Sequence, residues 1–205
     1  MTDEPSSGKD RAAATAFKTH LAEAVRFHGH LCSGQVLGVR MAMAGMRELG
    51  LDRSHPDWCN LVIFVEIDRC PVDAIISVTG RTPGKRSIHI VDYGKHAATF
   101  VNARTGQAVR VSQTPSAQHM LADLAGVDSG KQAVIKALST MAEKDLLTIQ
   151  PVRVCLRPED MPGESLRTVF CTCCGEQIRD MREYVDGTKV LCRTCAEGAR
   201  YYEAM

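Results

Sequence analysis

The chain has 205 residues, room for one ordinary domain and a small appendage, because modules under about 60 residues need support beyond a hydrophobic core. Its 25 Lys and Arg nearly cancel 24 Asp and Glu, which excludes the strong overall field of a nucleic-acid or anionic-membrane binder. The longest apolar run, Leu61 to Val65, is far short of the roughly 18 residues of a membrane helix, and the opening Met1-Thr2-Asp3-Glu4-Pro5 lacks a basic-then-apolar leader, so a cytoplasmic protein with no membrane partner is expected.

Residues 1–9 are polar and read as a disordered tail. From Asp10 to about Arg26, Phe17, Leu21 and Val25 recur every four residues, which predicts an amphipathic helix. Val36, Val39, Met43 and Met46 mark a second, well-buried helix that Gly50 ends. Asn60 to Ile67 is β-branched, apolar and too short for a helix, which predicts a central strand. Pro71 then suits the first position of a short helix, with Cys70 as its N-cap and Gly80 as its stop. Ser87 to Val91, Ala97 to Asn102 and Gln107 to Ser112 read as strands, the last two joined as a hairpin across Arg104-Thr105-Gly106. A short helix over Ser116 to Ala125 precedes a longer one to about Lys144, opened by a capping box at Ser129 and Gln132. Leu147 to Leu156 reads as an edge strand because Pro151 interrupts it, and residues 157–169, with Pro158, Pro162 and Gly163, read as a linker.

Nine cysteines without a leader point to thiols used for metal or redox chemistry and not to a disulfide scaffold. Cys171-x-x-Cys174-Gly175 and Cys192-x-x-Cys195, 17 residues apart, have the spacing of a four-thiolate structural zinc site. Residues 170–205 are too few to fold on a core, so metal binding substitutes for burial. Between the knuckles, Asp186-Gly187 reads as a two-residue hairpin turn, and Arg193 to Met205 as helix, the order of a treble-clef finger. Cys173 is spare. The finger carries five basic residues against six acidic ones, which gives no counterion-release drive and favours a staple or docking surface over nucleic acid.

A second cluster is His28-Gly29-His30-Leu31-Cys32. In an extended segment His28, His30 and Cys32 share one side, whereas in a helix His28 and Cys32 share a face. Cys32 and Cys70 each stand where a helix begins, and a helix N-terminus lowers a thiol's pKa, which suits a metal ligand or a nucleophile. One or two histidines and two such cysteines would leave a coordination position open for substrate, and Asp73, a turn after Cys70, could orient a ligand or act as general base. The plain alternative is a capping motif with cysteines packed as small hydrophobes. Cys59 and Cys155, and His20, His55, His89 and His119, read as ordinary structural residues, and Gly80 to Lys85 lacks the spacing of a phosphate loop.

These residues carry a resemblance. Phe27 to Gly34, then Gly38 and Arg40, Cys70 to Ile75, Thr79-Gly80, Thr82 to Lys85 and Tyr93-Gly94-Lys95 resemble the FmdE family, named for the E component of formylmethanofuran dehydrogenase, over about residues 17–115, and the four-cysteine finger resembles its two-domain members. The resemblance implies an α+β domain over residues 10–156, its mixed sheet flanked by helices in a thioredoxin-like layout, followed by a treble-clef zinc domain over 170–205. It implies a metal-binding active site around His30, Cys32 and Cys70, with zinc or another transition metal beside the structural zinc. Two departures are Ser33, where the family commonly has Pro, and Arg81, where it commonly has Cys and so a further thiol. A homodimer follows only from the resemblance and from the Met-rich second helix.

In that family setting the leading expectation is an accessory metalloprotein of redox metabolism acting with the subunits of a molybdenum or tungsten oxidoreductase. The chain holds neither a pterin domain nor an iron–sulfur cysteine ladder, so it is not itself the catalytic subunit of such an enzyme. A stand-alone enzyme using Cys32 or Cys70 is the alternative, and a nucleic-acid or transcription-linked finger the third.

Overall fold

The computed structural model describes residues 8–126, 130–198 and 200–203. The chain divides into two compact units that part between Cys155 and Leu156.

The first unit opens with α1 (Gly8–His28) and α2 (Ser33–Glu48), and β1 (Leu61–Val65) then leads into α3 (Pro71–Thr79). The expected tail otherwise lies outside the described residues. β2 (Ile88–Ile90), β3 (Ala97–Asn102) and β4 (Ala108–Gln113) follow, then α4 (Pro115–Ala125), α5 (Gly130–Thr140), α6 (Glu143–Leu146) and β5 (Leu147–Pro151). The five strands form one mixed sheet in the order β2-β1-β3-β4-β5. β1 and β2 are parallel, with Ile63 opposite Ile88, and every other pairing is antiparallel.

β1 is interior, as its apolar run requires, and β5 lies at an edge, where Pro151 ends it. α2 is the central helix. Val36, Val39, Met41, Ala42 and Ala44 are essentially inaccessible, and the helix packs against β3, β4 and β5 and against α1, α3 and α5. Its methionines are therefore core, and the helix offers no dimer face. Gly45 is the point of closest approach to the sheet, since a Cβ there would fall 2.3 Å from the Phe100 ring.

α3 begins and ends where Pro71 and Gly80 predict. Cys70 is its N-cap, and Gly80, at φ +67°, takes the left-handed C-terminal position. The long helix expected to run to Lys144 is two helices, α5 and α6. The reason is a side chain from far away in sequence: the Arg40 guanidinium donates to the carbonyls of Leu138 and Met141, at 2.9 and 2.6 Å, and so satisfies the acceptors at the end of α5. The capping box expected at Ser129 lies outside the described residues.

The second unit contains two small hairpins and a helical turn: β6 (Thr168–Phe170) with β7 (Gln177–Arg179), β8 (Tyr184–Asp186) with β9 (Lys189–Leu191), and α7 (Arg193–Glu197). Where the sequence suggests a linker, Asp160 is buried and pairs with Arg157 at 2.9 Å and with Arg182 at 3.7 Å. Two expectations here are corrected. Asp186 pairs with Lys189, so the tight turn is Gly187-Thr188, with Gly187 supplying φ +59° at its first position. The last helix stops at Glu197, because Gly198 adopts φ +67° and closes it.

Candidate metal centres and cleft

The first site is assembled at the carboxyl end of β1, the end of a parallel pair where an open α/β sheet usually places ligands. The chain leaves β1 through Glu66 and turns into α3 at Cys70. Glu66 is held there by Arg110 of β4, in a bidentate pair at 2.6 and 2.8 Å. The segment from β2 to β3 wraps the same end, with the amides of Tyr93 and Lys95 donating to the Glu66 carbonyl.

Two helix starts meet at this point because α2 carries glycine on the face turned to α3. A Cβ on Gly34 would lie 2.7 Å from Cβ of Cys70, and one on Gly38 would lie 2.7 Å from Cβ of Ala74 and from the Pro71 carbonyl. Gln35, fully buried, donates from Nε2 to the Cys70 carbonyl at 2.7 Å and fixes the start of α3 against α2. Cys32, the N-cap of α2, and Cys70, the N-cap of α3, are thereby brought side by side.

His28, the last residue of α1, completes a trio in which one ligand atom from each of His28, Cys32 and Cys70 lies within 4.8 Å of the others. Its Nδ1 donates to Oδ2 of Asp73 at 2.7 Å, one turn into α3. Its Nε2 is buried and has no hydrogen-bond partner. An acceptor nitrogen buried beside two thiols with nothing to accept from is an unfavourable arrangement for protein alone, and a metal ion satisfies it. Two thiols and one imidazole suit zinc or a similar borderline transition ion and leave a fourth position open.

His30 is not brought into the trio. Neither an extended nor a helical segment spans residues 28–32: Gly29, at φ +95°, turns the chain after α1, and His30 is exposed, with its ring 4.7 Å from that of His28. The expected lowering of the Cys70 thiol is also corrected. Burial pushes its pKa up, and the adjacent Cys32 thiol pushes it further, so the helix start does not prevail. Cys59 and Cys155 are exposed and not core.

Position 81 bears on the trio less than the family resemblance suggests. Arg81 follows the far end of α3, a nine-residue helix about 13 Å long, from the end that carries Cys70. It is buried there, donating to the Cys59 carbonyl at 3.1 Å with its guanidinium 4.9 Å from the Trp58 ring centre. A thiol in its place would not reach Cys32 and Cys70.

A cleft of about 580 Å³ opens from the two thiols. Leu37, Ile67, Leu121, Val134 and Leu138 give it apolar walls, and Arg69, His96, Gln113 and Gln118 also line it. Sequence reasoning missed this second group. The only signal near it was the family-like Tyr93-Gly94-Lys95 just before His96.

The second site gathers Cys171, Cys174, Cys192 and Cys195, again with ligand atoms within 4.8 Å. Gly175, at φ +77°, closes the first knuckle with its amide on the Cys171 carbonyl at 2.9 Å. The Cys171 sulfur accepts from the Cys192 amide at 3.3 Å, and the Cys192 sulfur from the Cys195 amide at 3.4 Å. Amides of Cys174 and Cys192 draw the Cys171 thiol down to about 6, whereas the Cys192 sulfur pushes Cys195 above the ordinary thiol value. Such a set holds a metal ion through sulfur alone.

Among the described residues no helix is long and apolar enough to cross a membrane. A probable S-adenosyl-L-methionine-binding protein of Archaeoglobus fulgidus is 36% identical over 93 residues, which are 44% of this chain and 25% of that protein. The chain thus spans about a quarter of the length of this relative. The crystal structure of an FmdE-like protein of tungsten formylmethanofuran dehydrogenase, from Syntrophus aciditrophicus, shares the fold, with a TM-score of 0.60 at 21% identity over 91% of this chain and 95% of that one. The family model described as FmdE, molybdenum formylmethanofuran dehydrogenase operon, matches residues 27–155, from the residue before His28 to the end of the first unit and more than half of the chain. The chain belongs to the FmdE family.

Proposed function

We propose that the protein is an accessory metalloprotein that works beside a molybdenum or tungsten oxidoreductase of the formylmethanofuran dehydrogenase kind. Its first unit holds a transition metal, zinc by the chemistry of the donors, through His28 Nε2, Cys32 Sγ and Cys70 Sγ. Asp73 fixes the imidazole, and the fourth coordination position serves substrate or partner. Its second unit holds a structural zinc through Cys171, Cys174, Cys192 and Cys195. The observation that carries this reading is the buried, unpartnered Nε2 of His28 beside two thiols, its other ring nitrogen already taken by a carboxylate. Family membership supports the association with the oxidoreductase.

A bound ion in the first unit would supply Lewis acidity at the mouth of the cleft. The protein's own contribution is to fix three donors before any ligand arrives and to keep an apolar space beside them.

Metal analysis of protein purified without oxygen or chelator tests the reading. Two metals per chain are expected, falling to one in Cys32→Ala, Cys70→Ala and Cys171→Ala alike. A single metal lost only with Cys171→Ala overturns the first site. Repeated affinity purifications that recover no molybdenum or tungsten enzyme overturn the partnership.

The cleft favours a second reading, a stand-alone small-molecule enzyme whose reacting group meets the metal. Its thiol-nucleophile form is disfavoured, since burial raises the Cys70 thiol where a nucleophile needs it lowered.

A further inference from the structure

The cleft beside Cys32 and Cys70 has a polarity that selects a ligand class. Its volume of about 580 Å³ is in the range of small-molecule sites. Among the described residues no carboxylate lines it, and Arg69 is the single formally charged residue that does. The Arg69 guanidinium makes no ion pair among the described residues. It stands directly before Cys70, at the end where the sixteen-residue α2 and the nine-residue α3 both begin, so two sets of helix amides add positive potential there. Away from that end the walls are Leu37, Ile67, Leu121, Val134 and Leu138. The remaining polar lining satisfies itself: His96 Nδ1 bonds the Gln113 side chain at 3.0 Å, and Gln118 donates to the Gln113 carbonyl at 3.1 Å.

Charge bookkeeping at the trio points the same way. Two thiolates cancel a divalent ion and the imidazole is neutral, so an anionic fourth ligand leaves one negative charge, which Arg69 and the helix amides offset. We propose that the cleft binds a small monocarboxylate with an apolar body, its carboxylate at the Arg69 and Cys32–Cys70 end and its body along Leu37, Leu121 and Leu138. This rests on the metal-site reading of His28, Cys32 and Cys70.

Calorimetric titration of the zinc-loaded full chain with octanoate, acetate and octanol tests it, with metal content counted in each sample. Acetate keeps the head without the body, and octanol the body without the charge. Octanoate is expected to bind at least about tenfold more tightly than either. Arg69→Gln, an exposed change that the fold tolerates, is expected to weaken octanoate about tenfold and leave octanol unchanged. Leu121→Trp, which fills the cleft from α4, is expected to block octanoate. Octanol binding as tightly as octanoate, or octanoate binding unaltered by Arg69→Gln, with the trio's metal in place, overturns this proposal alone. A trio that takes up no metal overturns the underlying reading instead.

Discussion

Asp73 holds His28 by its Nδ1 at 2.7 Å, across 45 residues of sequence, and leaves Nε2 buried beside Cys32 and Cys70 with no partner of its own. The carboxylate accepts from Nδ1 and so selects the tautomer whose Nε2 lone pair is free for a metal. Asp73 is therefore a positioning residue. Asp73→Ala is expected to weaken zinc at the trio about 10- to 100-fold in a competition against a chromophoric chelator, with the four-cysteine site unchanged. Asp73 is partly exposed, so the variant should fold; equal zinc affinity in variant and wild type would remove the carboxylate from the site.

Gly34 and Gly45 separate packing from function. Alanine at Gly34 puts its methyl carbon 2.7 Å from Cβ of Cys70, and alanine at Gly45 puts it 2.3 Å from the Phe100 ring. Each should cost about 1–3 kcal/mol of stability in denaturant titration, the usual range for an overpacked contact. Gly34→Ala moves Cys70 away from Cys32 and should also lose zinc from the trio, whereas Gly45→Ala, at the other end of α2, should keep it. Full zinc affinity in a folded Gly34→Ala protein would show that helix approach does not set the site.

Local signals account for what the sequence makes legible. Pro71 and Gly80 frame α3, the apolar run at Leu61 marks an interior strand, Pro151 places β5 at an edge, and the paired cysteines of the second unit sit at fixed offsets. What stays hidden depends on groups distant in sequence. The break between α5 and α6 is imposed by Arg40, about a hundred residues earlier. The exclusion of His30 depends on the turn at Gly29, and the neighbours of Cys32 depend on glycine contacts between two helices. Arg81 teaches the same point, because a family position that alternates between Cys and Arg reveals nothing of its distance from the other thiols until α3 is placed.

Arg40 is partly buried, and burial lowers its pKa while Glu143 opposes the shift. Its value to the fold is the pair of carbonyls it satisfies, so Arg40→Met should destabilise the first unit by about 2–3 kcal/mol, the cost of leaving buried acceptors unpaired. Hydrogen exchange should quicken at the end of α5 and in α6 before it quickens in β3. Uniform exchange across the unit would mean that Arg40 does not act as a local cap.

The Cys70 thiol, raised by burial and by Cys32, predicts two pH effects in metal-free protein. Alkylation of Cys70 by iodoacetamide near neutral pH should be slower than that of a free thiol. The folded state also holds this proton more firmly than the unfolded chain, so the stabilisation is complete below the ordinary thiol pKa and is lost as pH rises through the raised value. Metal uptake must displace that proton, so zinc affinity should fall with decreasing pH. Rapid alkylation of Cys70 at pH 7, followed by peptide mass spectrometry, would contradict the raised pKa and restore a nucleophilic role.

Metal removal should divide the protein into its two units. The first has its own core, including Phe100, Ile63, Val36 and Met41, and does not depend on an ion to fold. In the second, Cys171 and Ile178 are the buried hydrophobic positions, too few to offset chain entropy, so its order rests on the four sulfurs and what they hold. The Cys171 thiol, drawn down to about 6, is already largely ionised at neutral pH, so metal capture there releases little proton from this residue, and acidification through that range should loosen the ion. A strong chelator should expose residues 156–205 to protease within minutes while residues up to 155 stay protected, and added zinc should restore the pattern. Cys171→Ser should show the cleaved pattern without chelator, and a second unit that resists protease equally with and without metal would remove the structural role assigned to the four cysteines.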